Sequence, residues 1–453
     1  MDKEMVEKIR LKVKNWELDS VDPGTSGSHK TPGAKKPDPS IPYLRRDETF
    51  GDQGKLELRP SPEHSLLTAT SIVRTNTDHS KFWVAAFGSI PATGANYAAI
   101  ARITAEGTID SSFMPETNGF AQVKFDDENS TRTESVHETQ DGSLLVFGEQ
   151  VTVAGATSYR KPMITKILTN GQPDNNFGTD GVVDVDQTIT EVGPIGSAWY
   201  IVDQDDGILV LGKVDKEDYT DTDAFLARLT PTGQIDENFK IVRIHKDDNS
   251  VDPVDMVKDG TGRIIITCNS LNHRYLLGLK SNGTLDREFG EQGFVDISAH
   301  FFGVESSTLT QGSSHVFLSG SRFDPKMMHA VLANYTTEGR LEPTFNDGKP
   351  AEANFGKGYV ERVWYGAHES ASAPYTIKVL GWYADNDGRY QVVGRYLPNG
   401  TADYSFVNNH AIGQVPAEAF FAFGKQNLIN DTSGRFLVAG RWSGTAAIFA
   451  FKD

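Results

Sequence analysis

The side chains of this 453-residue chain best suited to chemistry are carboxylates and aromatics. Asp215, Glu217, Asp218, Asp221 and Asp223 crowd one stretch together with Tyr219, and Asp126, Asp127 and Glu128 are consecutive, as are Asp247 and Asp248. Acidic clusters of this kind attract either a hard metal ion, which wants several carboxylate oxygens, or the basic groups of a partner. Asp203-Gln204-Asp205-Asp206-Gly207 and Asp385-Asn386-Asp387-Gly388 resemble calcium loops, but neither has the acidic twelfth position of an EF-hand and both fall at expected hairpin turns. Calcium is thus the one ion they would suit, and no cofactor is expected. Tyr97, Tyr159, Phe323, Tyr383, Tyr390 and Trp442 are amphipathic groups of the sort that contact a protein or a glycan.

Signals for catalysis are weak. The 11 histidines include no H-E-x-x-H, the chain has no G-x-S-x-G, and His137-Glu138 and His368-Glu369 are isolated pairs. The single cysteine, Cys268, excludes an internal disulfide framework and any multi-cysteine zinc site. No catalytic residue is named on this basis. Lys plus Arg number 44 against 61 Asp plus Glu, for a net charge of -17. That disfavours nucleic acid, which needs a basic footprint, and docking on anionic lipid. No apolar run approaches the ~20 residues of a membrane span. The start, MDKEMVEKIRLKVKNWEL, is charged where a signal peptide is apolar, so the expected location is the cytoplasm or a compartment reached by a non-Sec route.

The elements that must position these groups come from a repeat. A pattern G-x-φ-D-x-x-F, with φ usually apolar, recurs at Gly107–Phe113, Gly171–Phe177, Gly233–Phe239, Gly283–Phe289, Gly339–Phe345 (with Glu342 for Asp) and Gly400–Phe406, after a truncated copy at Asp47–Phe50. The seven Phe positions are 63, 64, 62, 50, 56 and 61 residues apart. Asn170-Gly171, Asn282-Gly283 and Asn399-Gly400 are turn dipeptides. The Asp is placed to accept a backbone N–H two or three residues on, and the Phe to bury between neighbouring sheets. Turn chemistry explains these aspartates without a catalytic role.

An apolar strand-like run precedes each motif, as in Ala98–Ile103 and Val331–Tyr335, and a second series ends at or near a Gly, as in Leu144–Gly148 and Phe436–Gly440. A third strand follows each Phe and a fourth precedes the Asp-Gly turns. Four short strands repeated seven times predict an all-β, seven-bladed β-propeller. The seventh repeat is split: Gly54–Leu58 is expected to complete the blade of Phe436–Gly440 and Ala446–Phe451, closing the ring without an open edge.

These units resemble the bacterial delta-60 repeat, a propeller-forming repeat with a G-x-L-D-x-x-F-G turn and a D-G-K-I-x-V-x-G strand. Phe50-Gly51, Phe177-Gly178 and Phe289-Gly290 keep the Phe-Gly, whereas Phe113, Phe239, Phe345 and Phe406 do not, and Asp-Gly-Lys survives only in forms such as Asp141-Gly142-Ser143 and Asp387-Gly388-Arg389. The resemblance covers nearly all of 44–453. It implies the propeller but no single activity and no catalytic residues.

Residues 1–43 form a separate region: Met5, Ile9, Val13 and Trp16 fall at helical spacing, and a Pro-, Gly- and Lys-rich linker follows. That helix would dock on the ring or on a partner. Residues 44–453 form the ring. Its Asp-Gly and G-x-φ-D turns are expected on one face, and the longer, dissimilar connections that carry the acids and aromatics named above on the other. Variable loops on a rigid scaffold are where binding usually lies. The expected function is therefore non-catalytic recognition of a protein or glycan partner by the variable-loop face. The alternatives are a secreted effector or toxin component that binds host glycans, and a hydrolase or lyase with its active site in the channel.

Overall fold

Each Asp-Gly or Gly-centred turn reverses the chain, and each apolar run between turns pairs with the next, so the chain builds antiparallel sheets in sequence order. In the computed structural model these are seven sheets arranged as a ring, a seven-bladed β-propeller. The structure describes residues 41–453 apart from 62–63, 90–95, 127–129, 155–156, 204, 206, 216–221, 240, 247–248, 271–272, 310–313, 324–327, 354–360, 370–374, 385–388, 417–418, 422–425 and 432–433. The helix expected near the start of the chain lies outside the described residues.

Blade 1 comprises Ser65–Arg74, Lys81–Ser89, Asn96–Thr104 and Phe120–Val123, from the channel outward, and blade 2 comprises Ser130–Glu138, Leu144–Ala154, Thr157–Ile167 and Val182–Asp184. Blades 3 to 6 begin at Ile195, Asp252, Gly303 and Glu361 and repeat this order. In blade 7, Arg435–Trp442 and Thr445–Lys452 pair as expected, and Lys55–Glu57 adds to the latter as the outer strand through Leu56↔Ile448. The inner strand of this blade is in two pieces, Ala419–Phe421 and Leu428–Asp431. Upstream, Gln414 accepts the Leu44 N–H and donates its own N–H to Pro42 O, and Ile41 and Leu44 are buried, so chain packed on the ring begins a few residues before 44.

The core lies between the blades. Seven apolar clusters each join two successive blades, and each contains one motif Phe: Phe50, Phe113, Phe177, Phe239, Phe289, Phe345 or Phe406. All seven rings are buried. The motif acid acts as its chemistry dictates: Asp47, Asp110, Asp174, Asp236, Asp286, Glu342 and Asp403 each accept the N–H two residues on, at 3.0–3.3 Å.

The Gly and the residue after the Phe do something further. Gly339 holds φ +85°, and a Cβ there would stand 3.0 Å from the Phe289 ring and 2.6 Å from Val295. Gly290, at φ +51°, donates its N–H to Glu338 O of the next repeat at 3.0 Å. The same bond runs from Gly51 to Glu106, from Gly178 to Thr232 and from Asn346 to Asn399. The Gly of one repeat therefore seats on the Phe of the repeat before, linking blade to blade around the ring.

Candidate functional site

The turn face is occupied by its own structure. Beyond the backbone bond, five of the seven motif acids take a cation: Asp47 pairs with Arg435, Asp110 with Arg102 and Lys81, Asp236 with Arg228, Asp286 with Arg263 and Asp403 with Arg395; Glu342 takes the His315 imidazole. Asp203 and Asp205, in one of the calcium-like stretches, are held by Lys258 and Arg228. Their oxygens are committed to guanidinium and ammonium. Asp385–Asp387, in the other stretch, lies outside the described residues.

The hairpins between second and third strands all open on the opposite face, and the aromatics sit at their strand ends. Tyr159 is 58% exposed, on a hairpin whose two strands, of 11 residues each, are the longest among the described residues. Phe323 and Tyr390 are half-buried; Phe323 lies against Phe302 at 6.0 Å, and Tyr390 stacks on Tyr383 at 5.0 Å. Trp442 is also half-buried, with the Arg46 guanidinium 4.5 Å over its ring. Tyr97 and Tyr383 are corrections to the expected contact set. Tyr97 is buried against His64, and burial raises its pKa. Tyr383 is fully buried, its hydroxyl accepting from Gln414. Both belong to middle strands flanked by sheet neighbours and by the next blade, which cover everything short of the hairpin tip.

Asp215 and Asp223 lie on paired strands of blade 3, in register with Thr222 and Val214. Glu217, Asp218, Tyr219 and Asp221, between them, lie outside the described residues. The structure thus places Asp215 and Asp223 at one hairpin end of the face opposite the Asp-Gly turns.

One group of residues escaped the sequence. The inner strands of blades 1 to 6 each carry a β-bulge, and in blade 2 the register slips between Thr133 and Ser135, leaving Glu134 without a partner. Bulges re-aim side chains. The second strand answers with Gly148, where a Cβ would stand 2.1 Å from Arg132 O. Glu134 is exposed. Nearby, Arg132 lies opposite Glu149 in the register, and Glu149 also pairs with Arg160 at 3.4 Å. Tyr200, on the inner strand of blade 3, stacks on Phe147 of blade 2 at 4.5 Å, and its hydroxyl is buried with no hydrogen-bond partner among the described residues. Enclosure, then Glu134 and Glu149, raise the pKa of that hydroxyl. The strand itself, Ser130–Glu138, is mostly polar and carries Arg132 and Glu138 as well, so its sequence gave no signal that set Glu134 apart.

No family model and no curated protein matches the chain. Among solved structures it is similar to a streptogramin B lyase (11% identity, 87% of this chain and 95% of that one, TM-score 0.43). It is similar also to Drosophila Semaphorin 1b extracellular domains 1–2 (10%, 90% and 88%, 0.43) and to YCF48 from Cyanidioschyzon merolae (11%, 87% and 98%, 0.44). At this identity and overlap the activities named are those proteins' own; the architecture of this chain rests on its own strand order.

Proposed function

We propose that the chain is a non-catalytic binding protein, a delta-60-type ring that recognises a protein partner through its variable-loop face. The observation that supports this is the contrast between faces. On the turn face the repeated acids are spent on backbone and cations, whereas Tyr159 stands 58% exposed on a hairpin of the opposite face whose strands are the longest among the described residues. An exposed aromatic on a rigid hairpin supplies contact area at little entropic cost.

The test is affinity capture with the full chain, run beside a glycan array. Two variants are compared with the wild type: Tyr159→Ala, and a chain with Asp215, Glu217, Asp218, Asp221 and Asp223 neutralised together. Unchanged circular dichroism with loss of a captured protein supports the proposal. Retained capture by both variants, with loss on substituting exposed turn-face residues, rejects it. Glycan binding without protein capture replaces the partner class.

A further inference from the structure

Blade 5 departs from the repeat at its motif acid. In blades 4 and 7 the residue that leads into the second strand is Arg263 or Arg435, and each gives its guanidinium to a motif acid. Blade 5 has His315 in that place, with Nε2 2.8 Å from Glu342 Oε2. An arginine there can only donate, whereas an imidazole has a second ring nitrogen with its own role. His315 Nδ1 lies 2.8 Å from the Ser314 hydroxyl. Carboxylate, imidazole and hydroxyl therefore form one chain joined by two short hydrogen bonds.

The partners decide where the protons sit. Glu342 Oε1 accepts the Thr344 N–H at 3.1 Å and the Thr344 hydroxyl at 2.7 Å, which fixes the carboxylate. Those bonds, with the imidazole behind them, outweigh burial and hold its pKa below the usual value. Ionised, it can only accept, so His315 Nε2 carries the ring proton. In the neutral imidazole Nδ1 is then an acceptor, and the Ser314 O–H donates to it.

We propose that Ser314 is a nucleophile, an acyl-acceptor site for activated carboxylic esters, with His315 as its general base and Glu342 as the residue that positions the base. Ser314 is exposed, so an ester reaches it from solvent. Its Oγ attacks the carbonyl carbon while its proton passes to His315 Nδ1. The ester C–O bond then breaks, the alcohol or phenol leaves with that proton, and Ser314 keeps the acyl group as an ester; no oxidation state changes. The site lies at the turn end of blade 5, so it goes beyond recognition by the variable-loop face and does not depend on it. A second serine supplies an internal comparison. Ser61 Oγ stands 2.9 Å from His64 Nδ1, but the His64 ring packs on Tyr97 at 4.3 Å and meets no carboxylate among the described residues. Nothing there fixes the tautomer.

The probes are p-nitrophenyl acetate and a fluorophosphonate, each incubated with the full chain at pH 8 and located by peptide mass spectrometry. The acetyl and phosphonyl groups are expected on Ser314, at least about tenfold faster than on Ser61. Ser314→Ala removes the label. His315→Arg supplies the residue that blades 4 and 7 carry at this place, so the pairing with Glu342 and the melting temperature persist while labelling of Ser314 slows at least about a hundredfold. Nitrogen NMR of the imidazole should show the Nε2–H tautomer in the wild type and a mixture in Glu342→Gln, with slower labelling. No label on Ser314, equal labelling of Ser61 and Ser314, or a rate unchanged in His315→Arg overturns the proposal, and each leaves capture by the variable-loop face to stand or fall on Tyr159.

Discussion

Lys378 offers a sharp test of how the ring is held shut. Its side chain is 0% exposed, and its ammonium donates to Asn430 Oδ1 at 2.8 Å and to Asp453 Oδ2 at 2.7 Å. The other Asp453 oxygen accepts from Arg395 at 2.8 Å. Lys378 and Arg395 belong to blade 6, while Asn430 belongs to blade 7 and Asp453 follows its third strand directly, so these bonds cross the interface where the split blade begins. Breaking a buried pair from one side strands a charge and costs about 3–5 kcal/mol, whereas replacing the pair with an apolar group of similar volume is close to neutral. Asp453 is 23% exposed, so water recovers part of the loss and Asp453→Asn should cost about 3 kcal/mol. Lys378→Met leaves Asp453 partly exposed and still paired with Arg395, so no charge is stranded and the cost should be about 1–2 kcal/mol, chiefly for the buried Asn430 oxygen that loses its donor; adding Asp453→Asn to it should cost less than Asp453→Asn alone. The sign with pH follows. Burial lowers the Lys378 pKa from its usual 10.5, opposed by Asp453. The unfolded chain therefore binds the extra proton below 10.5, and stability rises with pH in that window. Asp453→Asn removes the group that keeps Lys378 charged, so its penalty should shrink as pH is raised towards 10. Urea unfolding of the four proteins at pH 7 and pH 9.5 reads all of this. If Lys378→Met destabilises as much as Asp453→Asn, or the cost is independent of pH, the latch is ordinary packing.

Three further outcomes follow from the ring. Phe289→Ala should destabilise by about 3–5 kcal/mol in urea unfolding, and Gly339→Ala should cost less in that background than in the wild type, because the ring its Cβ would strike is gone. In Asp110, burial pushes the carboxyl up, but hydrogen bonds from Ser112 and Lys81 and the charge of Arg102 reverse this and leave its pKa far below the usual value. Its contribution is present above about pH 4 and lost as pH falls, so Asp110→Asn should lower stability at neutral pH and flatten the acid limb of a stability-versus-pH curve. Deleting residues 1–36 should leave the melting temperature unchanged, while deleting 1–60 should lower it sharply by removing Phe50 and the closing strand; equal melting would deny the pairing of Leu56 with Ile448.

The fold was legible because its code is local. Asp110 and its six counterparts shape turns with atoms two residues away, and the apolar run, the Gly and the Phe recur at fixed offsets from them. What stayed hidden depends on a second strand or a second blade. Gly290 keeps its φ of +51° in order to bond Glu338 of the next repeat, a purpose no single repeat contains. Tyr97 and Tyr383 look like surface aromatics until lateral neighbours cover them.

The bulges of the inner strands were invisible for the same reason, and this bears on where the repeat leaves residues uncommitted. A bulge is a two-against-one count between strands, so the freedom of Glu134 is defined by Gly148 across the sheet and not by its own neighbours in sequence. The Tyr200 ring likewise takes its place from another blade, stacked on Phe147 of blade 2. The repeated residues are committed to one another: each motif acid to its turn, most also to a cation, and each motif Phe to its blade interface. Residues free to meet a ligand must therefore break the repeat. Tyr159 does so, 58% exposed on a hairpin whose strands have 11 residues each.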